Sequence, residues 1–151
     1  MVHLKDSNKY LLFYQGKYAL DKKTYATIGG YFEHGESAID CAKRELLEEA
    51  KLESDEWIYL GKYRSKGNRG GGYVHSFLAK NSYLSQRNAT SDDSEYQERK
   101  LLSKEELIKV ILHGEVLLTP MLMTMCLSLL YEQYPQYHIP SNEFNKSIAY
   151  N

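Results

Sequence analysis

The order of apolar and polar positions divides the chain into short blocks of strand character, a helical stretch, more strands, and two further helices. Lys9–Gln15 (KYLLFYQ) is an apolar and aromatic run bounded by Asn8 and Gly16, and it predicts a strand. KYALDKKTYATIGG continues in short extended pieces with a turn around Asp21–Lys23. From Ser37 to about Lys51 the period becomes helical, with Ile39, Ala42, Leu46 and Ala50 on one arc. Ser37 has the position of an N-cap, with Asp40 as its capping-box partner. Glu56–Arg64 and Tyr73–Lys80 are strand-like and are separated by the glycine-rich SKGNRGGG. NSYLSQRNATSDDSE is polar and without period, which predicts a long loop, and YQERKLLS predicts a last strand. Ser103 and Glu106 form a second capping box ahead of a helix, and Thr119-Pro120 opens another with proline in its first turn. This order predicts an α/β fold, a mixed sheet with helices packed on it. One domain over 1–134 is expected, followed by a poorly ordered tail over 135–151 that carries Pro140.

Charge and cysteine content narrow the partners. The formal net charge of −1 gives no general attraction to nucleic acid, so any phosphate ligand must be held locally. Cys41 and Cys126 form neither a disulfide framework nor a zinc spacing, which suits a reducing compartment. The N-terminal MVHLKDSNKY has no signal-peptide core, and VLLTPMLMTMCLSLLY, broken by Pro120, is too short to span a bilayer. The expectation is a cytoplasmic or nuclear protein with no membrane partner.

The helical stretch carries the chemistry. Glu45, Glu48 and Glu49 lie on the arc next to the apolar one, not opposite it. Like charges three and four residues apart cost roughly 0.2–0.5 kcal/mol per pair. Arg44 is placed to pair with Glu48 at i+4. Two readings remain open from helix geometry: an amphipathic helix with an acidic edge, or oxygen donors for a hard divalent ion such as Mg²⁺ or Mn²⁺.

The stretch Gly29–Leu52, GGYFEHGESAIDCAKRELLEEAKL, resembles the Nudix box, the signature of the Nudix hydrolases. Gly30 is followed by five residues and Glu36, then by seven residues and Arg44-Glu45, with Leu46, Glu48-Glu49 and Leu52 completing the pattern. Lys51 replaces the last glycine of the box. A left-handed residue is often needed where such a helix ends, and a side chain there costs about 1 kcal/mol.

The resemblance implies a Nudix fold, a mixed β-sheet sandwiched between helices. It further implies metal-dependent cleavage of the pyrophosphate of a small-molecule nucleoside diphosphate derivative. By position, Glu45 and Glu49 would be metal ligands, Glu48 a ligand or support, the Gly29 carbonyl a further ligand, and Glu36 a nearby support. Arg44 would orient the acids. In the ADP-ribose-cleaving branch the general base is a glutamate on a late loop; SDDSEYQERK offers Asp92, Asp93, Glu95 and Glu98, with Glu95 preferred and then Glu98. EYQERKLLSKEELIKVILHGEV and the loop LGKYRSKGNRGGGYVHSFLAK are also similar to that branch, where Arg64 and Arg69 would meet phosphates. Against that branch, almost nothing precedes the core sheet and the Ser-Pro-Gly-type loop is absent. A nucleoside triphosphate, a dinucleoside polyphosphate and a non-catalytic nucleotide-binding module are the alternatives. Tyr14, Tyr18, Tyr31 and Tyr73 are candidate base-stacking surfaces. A homodimer is expected by analogy, with the methionine-rich last helix as one surface.

Overall fold

The computed structural model describes residues 1–18, 20–87 and 97–138. Seven strands, β1 (Val2–Leu4), β2 (Tyr10–Gly16), β3 (Lys23–Ala26), β4 (Leu52–Glu53), β5 (Glu56–Arg64), β6 (Tyr73–Leu84) and β7 (Glu98–Leu102), form one mixed sheet. Helix α1 (Ala38–Glu45) runs into a π-helical turn over Leu46–Ala50, and α2 (Lys104–Leu112) and α3 (Thr119–Gln133) follow β7. β1 is central: it pairs antiparallel with β2 and parallel with β6. β2 also carries β3 and β7, and β5 pairs antiparallel along β6.

Strand alternation splits the core in two. Leu12, Tyr10, Leu60 and Leu78 meet Leu107, Val110 and Met125 of α2 and α3. Val2, Leu11 and Ala79 meet Leu46 and Ala50 beneath the π turn. Helices therefore cover both faces, the α/β/α arrangement expected. Each buried aliphatic side chain contributes about 1.5–3 kcal/mol, so both layers are held firmly.

The local caps explain the helix starts. The Ser37 side chain accepts from the Asp40 amide, and its hydroxyl donates to the Asp40 carboxylate at 2.5 Å. Asp40 thus binds the Ser37 side chain, and the reciprocal bond of the expected box is not made. The Ser103–Glu106 box is complete in both directions.

Four differences from the sequence reading stand out. β1 was not expected, because three residues are too few to show a period. β4 escaped notice for the same reason. β6 runs four residues beyond Lys80, where Leu52 and Glu53 pair with Leu84 and Tyr83. The box helix changes to π hydrogen bonding at Leu46, which no residue-type pattern announces. The methionine-rich helix is a packed element: Met125 is fully buried, and Met121, Leu122, Leu127 and Leu129 pack on the same core. The tail is described only to His138, and 139–151 lie outside the described residues.

Candidate active site

Arg44 is the centre of the site. Its Nε donates to Glu36 at 3.0 Å, one terminal nitrogen to Glu45 at 2.7 Å and Glu48 at 2.9 Å, and the other to Glu36 and the Tyr31 carbonyl. Three carboxylates from one loop and one helix thus share one guanidinium. The Glu36 and Glu45 side chains are only 12% and 13% exposed, so this pairing is what makes their charge tolerable. The Arg44 hydrogen bond and the Glu33 amide hold the Glu36 carboxyl down at about 2. Cys41, buried beside this cluster, has its thiol pushed up to about 11, mainly by burial and then by Glu36. It stays protonated and packs under the Arg44 guanidinium, with sulfur 3.6 Å from the nitrogen.

Gly30 explains its own identity. A Cβ there would lie 2.0 Å from one Glu45 carboxylate oxygen, so the box glycine is the seat on which that carboxylate rests. Gly29 meets no such limit.

The π turn is pinned at its carbonyls. Lys51 closes it in the left-handed region at φ 60° and ψ 34°, the conformation expected at the replaced glycine. Its Nζ donates to the Glu48 carbonyl at 3.1 Å. Arg99 of β7 donates to the Glu49 carbonyl at 2.9 Å. The sequence reading missed Arg99, because only the pairing of Phe13 with Arg99 brings it under the helix.

A cleft of about 520 Å³ opens beside this cluster. One wall holds Gly29, Gly30, Tyr31, Phe32 and Glu45, and the other holds Trp57, Tyr73, His75 and Phe77. Phe32 meets His75 edge-on at 5.6 Å, and the Tyr59 hydroxyl is 3.1 Å from His75 Nδ1. Burial, and then Lys62, lowers the His75 pKa below its ordinary value.

The structure brings Glu36, Glu45 and Glu48 together on Arg44; Gly29 lines the cleft with Glu45, and Glu49 follows Glu48 in the π turn. Arg64 is not itself a lining residue but lies over Tyr73, which is, with its guanidinium carbon 4.5 Å from the ring centroid. Arg69 sits in a short 3-10 turn, exposed and away from the lining of the cleft. Glu98 pairs with Lys100 at 2.5 Å, which lowers its pKa. Alternation with Arg99 turns Glu98 toward the sheet face away from the box helix. Asp92, Asp93 and Glu95 lie outside the described residues. Of the tyrosines, Tyr31 and Tyr73 line the cleft, whereas Tyr14 packs against Tyr25 on the other side of β2.

The donor set fits a hard divalent ion in kind. All the donors are oxygens, Glu45 and Glu49 are one helical turn apart, and the Gly30 seat leaves room that a side chain would fill. Among the described residues, no three acid, histidine or cysteine side chains converge in a geometry that would hold one, because Glu45 and Glu48 are turned onto Arg44.

The family model for the NUDIX domain matches residues 1–119. With this fold and this box edge, the chain belongs to the Nudix family. No curated protein matches it in sequence. Among solved structures it is similar to an ADP compounds hydrolase at 14% identity and a TM-score of 0.77, covering 92% of this chain and 74% of that one. It is similar to a NUDIX hydrolase from Nitrosomonas europaea at 16% identity and a TM-score of 0.63, covering 93% and 90%. It is also similar to the NUDIX domain of Shewanella oneidensis NrtR complexed with ADP ribose, at 14% identity and a TM-score of 0.59, covering 87% and 83%. At these identities the likeness establishes the fold. Among the described residues, no helix is long and apolar enough to cross a membrane.

Proposed function

We propose that the chain is a Nudix hydrolase that cleaves the pyrophosphate of a nucleoside diphosphate derivative, with ADP-ribose, split to AMP and ribose 5-phosphate, as the first candidate. The observation that carries this reading is the Glu45 carboxylate seated on Gly30 in the wall of an aromatic-lined cleft. Such a cleft offers ring faces for a base and an acidic edge for the reacting phosphates. Two of the similar structures are described with ADP compounds, one as their hydrolase and one as a domain complexed with ADP ribose, which supports this choice of substrate.

A divalent ion, Mg²⁺ or Mn²⁺, supplies neutralisation of phosphate oxygens and lowers the pKa of a bound water. Glu45 and Glu49, with Glu48 and the Gly29 carbonyl, would hold it, and Glu36 would support them. Arg44 keeps the acids charged and spaced before ligand arrives. Lys51 and Arg99 fix the turn from which Glu48 and Glu49 project. Glu95 is the general base of this proposal, on the resemblance alone.

A second reading has its own observation. Arg44 holds the Glu36, Glu45 and Glu48 carboxylates turned onto itself, which suits a nucleotide-binding module without turnover. Phosphate release from a panel of nucleotides, with Mg²⁺, with Mn²⁺ and with chelator, separates the two. Metal-dependent turnover of ADP-ribose supports the hydrolase and its substrate. Turnover of another nucleotide alone keeps the class and rejects ADP-ribose. Tight binding with no turnover of any nucleotide favours the module.

A further inference from the structure

The wall of the cleft opposite the box changes character along one face of β5 and β6. Trp57 pairs with Ala79 at the core end, Tyr59 with Phe77 above it, then Lys62 with His75, and Arg64 with Tyr73 at the mouth. An even alternation would put Tyr59, Gly61 and Tyr63 on one side. The register shifts between Tyr59 and Gly61, and the extra residue turns Lys62 and Arg64 to the side of Tyr59. Gly61 makes the shift possible: its φ is 127°, and a Cβ there would meet the Tyr63 hydroxyl at 2.5 Å and its ring at 2.8 Å. The bulge therefore puts Lys62 and Arg64 on the same face as His75 and Tyr73, both of which line the cleft.

Both cations converge on one ring. Lys62 Nζ lies 4.2 Å and the Arg64 guanidinium carbon 4.5 Å from the centroid of Tyr73, and Arg64 donates to the Tyr73 hydroxyl at 2.6 Å. Tyr73 itself lines the cleft and is half exposed. Among the described residues, neither Lys62 nor Arg64 pairs with a carboxylate. Two like charges held on one ring without a counter-ion repel each other, and the ring quadrupole offsets only about 0.5–1 kcal/mol at an exposed site. An anion between them would complete the group: arginine presents a planar fork suited to phosphate oxygens, and lysine adds a point charge.

We propose that Lys62 and Arg64, braced on Tyr73, form a clamp for a phosphate group of the nucleotide bound in the cleft. This rests on the reading of the cleft as a nucleotide site, not on turnover. The aromatic rungs of Phe77, Tyr59 and His75 below the clamp favour a nucleotide over a simple anion, since they offer ring faces to the base.

Trp57 is the only tryptophan and lines the cleft, so its fluorescence reports occupancy. ADP, AMP and adenosine are titrated into the whole chain in chelator, with calorimetry as a second readout in case the indole is silent. The proteins are wild type, Lys62→Met/Arg64→Met, and the charge-keeping Lys62→Arg/Arg64→Lys. The clamp predicts that the methionine pair loses at least tenfold in ADP affinity, with adenosine binding unchanged and a shallower dependence on salt. It predicts that the charge-keeping pair recovers most of that loss. Thermal melting should match wild type, because both side chains are exposed. ADP binding by the methionine pair within twofold of wild type overturns the clamp and leaves the nucleotide site standing. Adenosine bound by wild type as tightly as ADP also overturns it. Absence of nucleotide binding by both readouts overturns the clamp together with the nucleotide reading of the cleft.

Discussion

The two walls of the cleft are opposite in charge and opposite in how that charge is held. On the box side, Glu36, Glu45 and Glu48 close around Arg44, whose single charge offsets part of theirs from within and leaves the group acidic. On the hairpin wall, Lys62 and Arg64 stand on Tyr73 with no acid beside them. The first wall keeps its shape without ligand and stabilises the fold. The second contributes little to folding and gains a partner only from outside. Mutations on the two walls should therefore separate: the box wall reports in stability as well as activity, the hairpin wall in affinity alone.

The largest expected effect is at Gly30. Gly30→Ala places a methyl where the Glu45 carboxylate rests. The carboxylate ends a flexible side chain and swings away, so the cost in stability is at most about 1 kcal/mol. Turnover should fall by about 100-fold or more, the scale for displacing one preorganised charged group. A Gly30→Ala enzyme with near-wild-type kcat would show that the Glu45 seat is incidental.

Arg44→Met comes next. Three acids, two of them mostly buried, lose their cation, and about 2–3 kcal/mol of stability goes with it, less than a fully buried pair would lose. For a chain of this size that lowers Tm by roughly 4–12 °C. Lysine at this position restores only part, since one ammonium cannot reach three carboxylates with fixed fork geometry. Unfolding titrations against pH sharpen the point. The folded-state pKa of Glu36 lies near 2, below its ordinary value of 4.5. Its stabilising contribution is complete above pH 4.5 and fades as pH falls toward 2. Wild type should weaken through that window, and Arg44→Met should be flatter there.

The smallest effect is at Lys51. Lys51→Gly relieves a left-handed side chain and loses the bond to the Glu48 carbonyl, so stability should change by less than about 1 kcal/mol. Lys51→Ala keeps the strain and loses the bond, and it should be the less stable of the two. Chemical denaturation of both variants checks the order.

Much of the box edge is legible in the sequence. The resemblance marked Glu36 with the box acids, and i, i+3 and i+4 spacing on a helix makes Arg44, Glu45, Glu48 and Glu49 neighbours without tertiary information. The left-handed Lys51 followed from its place at the helix end. What remained hidden depends on strand register. Arg99 reaches the Glu49 carbonyl only through β7 pairing with β2. Lys62 shares the face of His75 and Tyr73 only because one residue bulges after Tyr59, and a bulge inverts every face assignment beyond it. Glu98, a candidate base by resemblance, is turned away by the same alternation that turns Arg99 inward. β1 is too short to show a period, although Val2 is buried.

The central claim is that the box edge performs pyrophosphate cleavage. The most direct measurement is AMP release from ADP-ribose in Mg²⁺ by wild type and by Glu49→Gln, which keeps the shape and removes the charge, with melting followed in parallel. The account predicts metal-dependent release in wild type and a loss of about 100-fold or more in the variant at unchanged fold. Equal release by both proteins would contradict it.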